Sequence, residues 1–246
     1  MNTGTQQEST NDLVQSYLQV RQFLGYVALL LPFTLVFIGL ASGDGIEPSI
    51  SDTYFTSAGD VFVGALCAIG IFLWAYKGYE MLKDERVADW VIARLAAIGA
   101  LGVAFVPTLG VVTDPLPLAH RLFTAEVARV IHYGFATMFF VCLAIFCLVL
   151  FPRTDATEKM SEGKVYRNKI YRWCGGVLVI VIILMGAYGW YFKNLAPEEQ
   201  ELWKSSSWIF FLESIGVIAF AISWLTKGRS LRSLKDLANR LRGSKA

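Results

Sequence analysis

The chain has 246 residues, of which 55% are hydrophobic and 17% charged, and its mean hydropathy is +0.49. An ordinary soluble domain carries roughly a quarter charged residues, so this composition excludes a soluble globular enzyme. The abundance of Leu, Ile, Val and Phe excludes a disordered chain, and a formal net charge of +2 does not indicate a nucleic-acid-binding protein. The length suits one bundle of about six membrane helices of about 20 residues each.

Six apolar stretches are long enough to cross a hydrocarbon layer of about 30 Å as helices that rise about 1.5 Å per residue. They lack the alternating pattern of a barrel strand, and lipid does not tolerate unpaired backbone groups, so helices are expected. The predicted spans are 23–42, 60–79, 90–108, 128–151, 173–192 and 208–226. Arg94 lies near the start of the third span, where a long side chain reaches the headgroups. We therefore predict an all-α polytopic membrane protein with six transmembrane helices in one bundle.

The distribution of Lys and Arg predicts the orientation of this bundle. On one side of the predicted spans lie 18 of the 22 basic residues, and cytoplasmic loops retain excess positive charge. Both termini are therefore expected in the cytoplasm, with residues 1–22 as a polar tail and residues 23–226 as the transmembrane domain. The tail carries a single basic residue, Arg21, which is the wrong pattern for a cleaved signal, so the first span is expected to stay in the mature protein.

The segment 227–246 repeats leucine at helical spacing among seven basic residues. The leucines are Leu231, Leu234, Leu237 and Leu241. This pattern predicts an amphipathic helix that binds anionic lipid of the inner leaflet. An ordinary basic tail with a solvated helical end is the alternative.

Three ionisable side chains, Asp60, His132 and Glu213, lie near the outer ends of the second, fourth and sixth spans. Such side chains are costly in a membrane, so they are expected to face the bundle interior and to have partners. Each shares a helical stripe with small residues, which mark close helix contacts. The stripes are Gly64, Cys67 and Ala68; Ala125, Ala128 and Ala136; and Gly216, Ala219 and Ser223. We predict one shared polar pocket, with Ser51 or Asp52 of the first external loop at its mouth.

The chemistry of this predicted pocket has several interpretations. A hydrogen-bonded network that fixes helix register is one, and acid-base catalysis or metal binding on an outer-leaflet lipid is another. An ion or proton pathway is the third. The chain has two histidines and no GxSxG, Walker or dinucleotide motif, so no metal or cofactor is expected. The four cysteines lie in or beside apolar spans, where small buried hydrophobic residues are expected rather than disulfides.

The first external loop contains Pro48-Ser49-Ile50-Ser51-Asp52-Thr53, and the fourth span contains His132-Tyr133-Gly134-Phe135-Ala136 near its outer end. With the glycine-rich third span, these motifs resemble the six-helix family of damage-regulated autophagy modulators (DRAM-like proteins) and their yeast and GPI-lipid-remodelling relatives. Uncharacterised bacterial six-helix proteins share this plan. The resemblance implies a polytopic protein of membrane lipid handling and carries over no established catalytic residue. Asp60 and Glu213 match no motif of the family.

Composition, resemblance and the lack of a catalytic signature together favour one function. We expect a non-enzymatic integral membrane protein that binds or organises membrane lipids, or that serves as a subunit of a membrane complex with another membrane protein. The expected location is the plasma membrane, and specifically the bacterial inner membrane. An intramembrane lipid hydrolase or acid-base enzyme that uses Asp60, His132 and Glu213 is the alternative, and an ion or proton pathway is the second alternative.

Overall fold

The computed structural model describes residues 12–78, 87–108, 117–153, 162–204 and 206–228. The regular elements within these residues are all helical, which confirms the predicted all-α class. They are α1 (Asp12–Ser42), α2 (Gly59–Ala75), α3 (Asp89–Phe105), α4 (Leu118–Leu122), α5 (Ala125–Ile145), α6 (Glu162–Lys193), α7 (Pro197–Lys204) and α8 (Trp208–Lys227). A 3-10 helix, Ser51–Phe55, lies between α1 and α2, and a π-helical turn, Phe146–Leu150, extends α5.

Each predicted span coincides with a helix, but the helices differ in length. Within the described residues, four helical segments are long and apolar enough to cross a membrane, namely Leu18–Ser42, Ala125–Leu150, Glu162–Lys193 and Trp208–Lys227. Helices α2 and α3 have 17 residues each. At about 1.5 Å per residue this length covers about 26 Å, slightly less than a typical hydrocarbon core. Helix α1 begins at Asp12, so it continues into the predicted polar tail, and the predicted C-terminal helix lies outside the described residues.

Six of the helices form a closed ring. Helix α1 packs on α2, α2 on α3, α3 on α5, α5 on α6, α6 on α8, and α8 on α1 again. Helices α3 and α5 pack against each other closely, because α3 presents five alanines that are fully buried. They are Ala93, Ala96, Ala97, Ala100 and Ala104. A Cβ at Gly99 would come within 3.0 Å of the Phe135 carbonyl oxygen, so the small side chains of α3 allow this contact.

Contacts between helix ends show that neighbouring helices run in opposite directions. About three turns into α1, Gln22 Nε2 donates to the Gly228 carbonyl just after α8. At the same end of the ring, Arg153 after α5 pairs with Asp89 at the start of α3, with 2.9 Å between Nη1 and Oδ1. We call this the basic end. The opposite end carries the connection from α1 to α2, residues 43–58, and we call it the loop end.

Aromatic side chains fill the ring at the basic end. The fully buried Trp224 ring lies 5.4 Å from the Tyr76 ring, 5.9 Å from Phe146 and 5.8 Å from Phe151, measured between ring centres. These rings come from α8, from the end of α2 and from the last turns of α5. Large buried rings supply much apolar burial, so this cluster joins three parts of the ring into one core.

Candidate functional site

The segment 46–50 of the connecting loop is fastened to the start of α8. Ser207 Oγ donates to the Ile46 carbonyl at 3.1 Å, and the Phe210 backbone N–H donates to the Pro48 carbonyl at 2.9 Å. The first backbone N–H groups of a helix have no partner within the helix, so the Pro48 carbonyl satisfies one of them. The segment therefore depends on α8 for its position at the loop end.

Glu213 makes the next contact along this segment. Its Oε2 atom accepts the Ile50 backbone N–H at 2.6 Å, and its side chain is buried in the bundle. A buried backbone N–H without a partner is costly, and the carboxyl group of Glu213 removes that cost. The carboxyl group of Glu213 therefore holds the loop backbone at Ile50 through a hydrogen bond.

His132, in the second turn of α5, holds the neighbouring loop residue. Its Nδ1 atom lies 2.6 Å from the Val106 carbonyl oxygen, and its Nε2 atom lies 3.0 Å from Ser51 Oγ. A carbonyl oxygen only accepts hydrogen bonds, so Nδ1 carries the proton. On a neutral ring Nε2 is then the acceptor, and the Ser51 hydroxyl donates to it. His132 is 2% exposed and Ser51 is 5% exposed, so the pair is shielded inside the bundle.

Asp52 connects the same loop to the end of α3. Its Oδ1 atom accepts from Thr108 Oγ1 at 2.8 Å, and its Oδ2 atom accepts from Ser49 Oγ at 2.7 Å. Ser49 Oγ in turn accepts the Asp52 backbone N–H at 3.1 Å. The loop thus contacts α8 through Glu213, α5 through His132 and the end of α3 through Asp52. We call these three side chains, with Ser51 and Thr108, the loop network.

Outside the predicted spans, two acidic side chains of the loop have shifted pKa values. Asp44 accepts the Ser57 backbone N–H at 3.0 Å and the Ser42 hydroxyl at 2.8 Å, and these bonds hold its pKa below the ordinary aspartate value. Partial burial raises the pKa of Glu47, and the nearby negative charges of Asp52 and Asp44 raise it further. The two shifts have opposite signs because Asp44 has donors and Glu47 is desolvated.

The loop network brings together most of the residues that the sequence singles out. His132 and Glu213 bond to the adjacent residues Ser51 and Ile50. Asp52 also belongs to the network, although its partners are Ser49 and Thr108. Binding of a ligand by these residues stays a prediction.

The prediction that Asp60 belongs to the shared polar pocket is wrong. Its side chain is exposed at the start of α2, so it does not belong to the buried network. The small residues Gly64 and Ala68 on its stripe are exposed as well, and a Cβ at Gly64 would have no neighbour within 4 Å. The buried face of α2 carries Phe62 and Leu66 together with Gly70. Gly64 and Ala68 therefore lie on the outer face of α2.

The sequence does not reveal three partners in the network. Two are the backbone groups of Val106 and Ile50, which any residue type supplies. The third is Thr108, the only one with a signal of its own, because it is a polar residue at the end of an apolar stretch. The side-chain pattern of the sequence contains no information about which backbone groups these side chains contact.

Comparison with known proteins identifies no family for this chain. No protein-family model matches the chain, and no match is found among curated proteins or solved structures. Within the described residues, no group of three or more His, Cys, Asp or Glu side chains is arranged to hold a metal ion. The resemblance to the DRAM-like family therefore stays a prediction from a few residues.

Proposed function

We propose that the chain is a multi-pass integral membrane protein that binds or organises membrane lipid, or serves as a subunit of a membrane complex, without catalysing a reaction. The observation that carries this proposal is the exposed apolar surface of the long helices. On α1, Phe23, Phe33 and Phe37 are 60% to 72% exposed, and on α6 Trp173 and Trp190 are 78% and 72% exposed. Soluble proteins rarely expose such continuous apolar faces, whereas lipid contact stabilises them.

The proposed topology has six passes and both termini in the cytoplasm. Helices α2 and α3 lie in the same antiparallel ring as the four long helices, and a local thinning of the bilayer accommodates their 17 residues. An even number of passes puts both termini on one side, and the basic residues assign that side to the cytoplasm. The proposed location is the plasma membrane, and specifically the bacterial inner membrane.

Reporter fusions at Gly45, Lys83, Pro117, Ser161 and Ala246 test this topology. Fusions at Lys83, Ser161 and Ala246 are expected to report the cytoplasm, and fusions at Gly45 and Pro117 the opposite side. A cytoplasmic signal at Gly45 or an external signal at Ser161 contradicts the six-pass topology.

Lipid binding is tested by native mass spectrometry of the full chain purified in a mild neutral detergent. We expect defined phospholipid adducts that survive extensive washing with that detergent. A chain that keeps its fold without any retained lipid, and gains no stability when lipid is returned, contradicts the lipid-binding proposal. The predicted anionic-lipid contact of 227–246 is tested separately, by truncation after Gly228 and flotation with phosphatidylglycerol vesicles.

The Ser51–His132 pair supports a second candidate function, an acyl-transfer enzyme such as a lipid hydrolase. A nucleophilic serine needs a base within hydrogen-bonding distance and a third group that orients the base. His132 Nε2 lies 3.0 Å from Ser51 Oγ, and the Val106 carbonyl orients the ring through Nδ1. In such a reaction Ser51 Oγ attacks the acyl carbonyl carbon of an outer-leaflet lipid ester while its proton moves to Nε2. The ester C–O bond then breaks, the departing alcohol takes the proton from Nε2, and water cleaves the acyl-serine to release the fatty acid. Because both side chains are buried, the loop has to move before a lipid reaches them.

A fluorophosphonate reagent distinguishes this candidate from a structural network. Labelling of Ser51 in the wild type, and its loss in Ser51→Ala and His132→Leu, is expected for a nucleophile and its base. Ser214→Ala is the matched control, because Ser214 is buried and donates to the Phe210 carbonyl within its own helix. A folded wild-type protein that remains unlabelled at Ser51 contradicts the enzymatic candidate.

A further inference from the structure

Arg21 is a buried cation at the basic end of the ring. Its side chain is 4% exposed, although it lies only three residues into the apolar segment that starts at Leu18. The guanidinium carbon lies 5.4 Å from the centre of the Tyr76 ring and 5.0 Å from the Trp224 ring. Trp224 Nε1–H also donates to the Arg21 carbonyl at 3.0 Å. The aromatic faces therefore hold the positive charge, and Trp224 holds the backbone beside it.

One edge of this guanidinium has no acceptor. Arg21 Nε and Nη2 are both buried and have no hydrogen-bond partner among the described residues. These two nitrogens lie on the same edge of the planar group, where their N–H bonds point in parallel and match two oxygens of one oxyanion. Aromatic faces balance the charge but accept no hydrogen bond from this edge. Buried donors in proteins almost always have a partner, so the edge points to an oxyanion ligand.

The charges around Arg21 favour an anion. Lys227 Nζ donates to the Phe151 carbonyl at 3.1 Å, close to the same aromatic cluster. Among the described residues, the charges that act on Lys227 are those of Arg21, Lys164, Arg167 and Asp89. The acid already pairs with Arg153. Among the described residues around Lys227, positive charge therefore exceeds negative charge.

We propose that the Nε–Nη2 edge of Arg21 binds a phosphate group, with Lys227 as a second positive charge. The phosphate belongs either to an anionic phospholipid of the inner leaflet or to free inorganic phosphate. A lipid source rests on the proposed function, and the depth of Arg21 near the start of the apolar segment matches the level of lipid headgroups. Both nitrogens are buried, so the phosphate reaches them only after a covering side chain moves.

The test uses the full chain in neutral detergent and measures its thermal unfolding. The added probes are phosphatidylglycerol, phosphatidylcholine and, at constant ionic strength, inorganic phosphate. Arg21→Met removes the donor edge, and Arg21→Lys keeps the charge but lacks the paired N–H groups. Arg94→Met is the matched control, because Arg94 also lies over two aromatic rings, Trp74 and Trp90, but is exposed. Size-exclusion profiles check that each variant is folded.

Wild type and Arg94→Met are expected to be stabilised by phosphatidylglycerol more than by phosphatidylcholine. The apparent affinity is expected to fall at least about tenfold in Arg21→Met and to a lesser degree in Arg21→Lys. Stabilisation by phosphatidylglycerol without an effect of inorganic phosphate assigns a lipid headgroup. Stabilisation by inorganic phosphate shows that the free anion is sufficient.

Two results overturn the proposal: an equal response of Arg21→Met and wild type, or no response of wild type to any phosphate probe. If Arg21→Met does not fold, the same comparison is made with Arg21→Lys, and an undiminished response of that variant overturns the proposal. Lipid adducts retained equally by wild type and Arg21→Met contradict the Arg21 site while leaving the proposed function intact. A phosphate response that depends on Arg21, in a protein that retains no lipid, supports the Arg21 site and contradicts the proposed lipid binding.

Discussion

At the loop end, hydrogen bonds hold the buried polar side chains, whereas at the basic end aromatic rings hold the buried charge of Arg21. Glu213 and His132 each have specific partners on one short loop segment. Arg21 has two rings beside it and two nitrogens without an acceptor in the part of the chain that the structure describes. Removing one partner from a satisfied network leaves the other partner unpaired, but removing the Arg21 side chain takes away a charge that lies against aromatic faces. The two ends are therefore expected to respond to substitution in opposite ways.

The largest effect is expected for Glu213→Leu, which leaves the Ile50 N–H buried without an acceptor. An unsatisfied buried donor costs about 1–3 kcal/mol, so we expect a loss near the upper part of this range. Glu213→Gln keeps an oxygen that accepts the same bond and is expected to cost less than about 1 kcal/mol. Denaturant unfolding of the purified variants measures the difference. Equal losses for the two substitutions would show that the bond to Ile50 contributes nothing.

The next effect tests whether Ser51 and His132 act as one unit. Each single substitution, Ser51→Ala or His132→Leu, is expected to cost about 1–2 kcal/mol, because it removes one side of a buried hydrogen bond. In a double-mutant cycle we expect a coupling energy of about 1 kcal/mol between them. Combining Ser51→Ala with Ser214→Ala is the control and should be additive, because Ser214 bonds to its own helix. Additivity in both pairs argues against a direct Ser51–His132 bond.

The sequence predicts the helices better than it predicts their faces. Apolar length alone locates the six helices of the ring, since a span of hydrophobic residues has one regular structure in lipid. Small-residue stripes correctly assign the inward faces of His132 and Glu213, where Ala128 and Gly216 are buried too. The same rule fails for Asp60, because a small residue also occurs on a face that contacts no helix. A stripe of small residues therefore does not identify the inward face of a helix by itself. The position of the large apolar residues on the opposite face is a second indicator.

Arg21 shows a different limit of sequence reasoning. A single basic residue at the start of the first span is typical of a helix end whose side chain reaches the headgroups. The structure instead buries Arg21 under Trp224, which lies 203 residues further along the chain. A contact over that separation depends on ring closure between α1 and α8, and local patterns contain no information about it. The predicted pocket likewise missed the backbone partners of His132 and Glu213.

A smaller effect on stability is expected when Arg21 is replaced in the absence of added phosphate. Burying a charge whose donors are unpaired is unfavourable. Arg21→Met is therefore expected either to lower the free energy of unfolding by less than about 1 kcal/mol or to raise it. The measurement is unfolding in phosphate-free neutral detergent. The same protocol with Glu213→Leu provides the contrast between the ends. A loss above about 2 kcal/mol for Arg21→Met would mean that its contacts with the rings outweigh the cost of burial.

The smallest effect is expected at Asp44, outside the spans, where the pH dependence has a defined sign. Bonds from Ser57 and Ser42 lower the pKa of Asp44 below its ordinary value of 3.8 in the folded chain. Its contribution to stability is therefore fully present above that value and is lost as the pH falls through the lowered folded pKa. Because Asp44 is fully exposed, solvent and salt screen this contribution strongly. Wild type should exceed Asp44→Asn slightly in melting temperature at pH 6, and the difference should shrink towards pH 3. A difference that grows on acidification would contradict the role of the charged carboxylate.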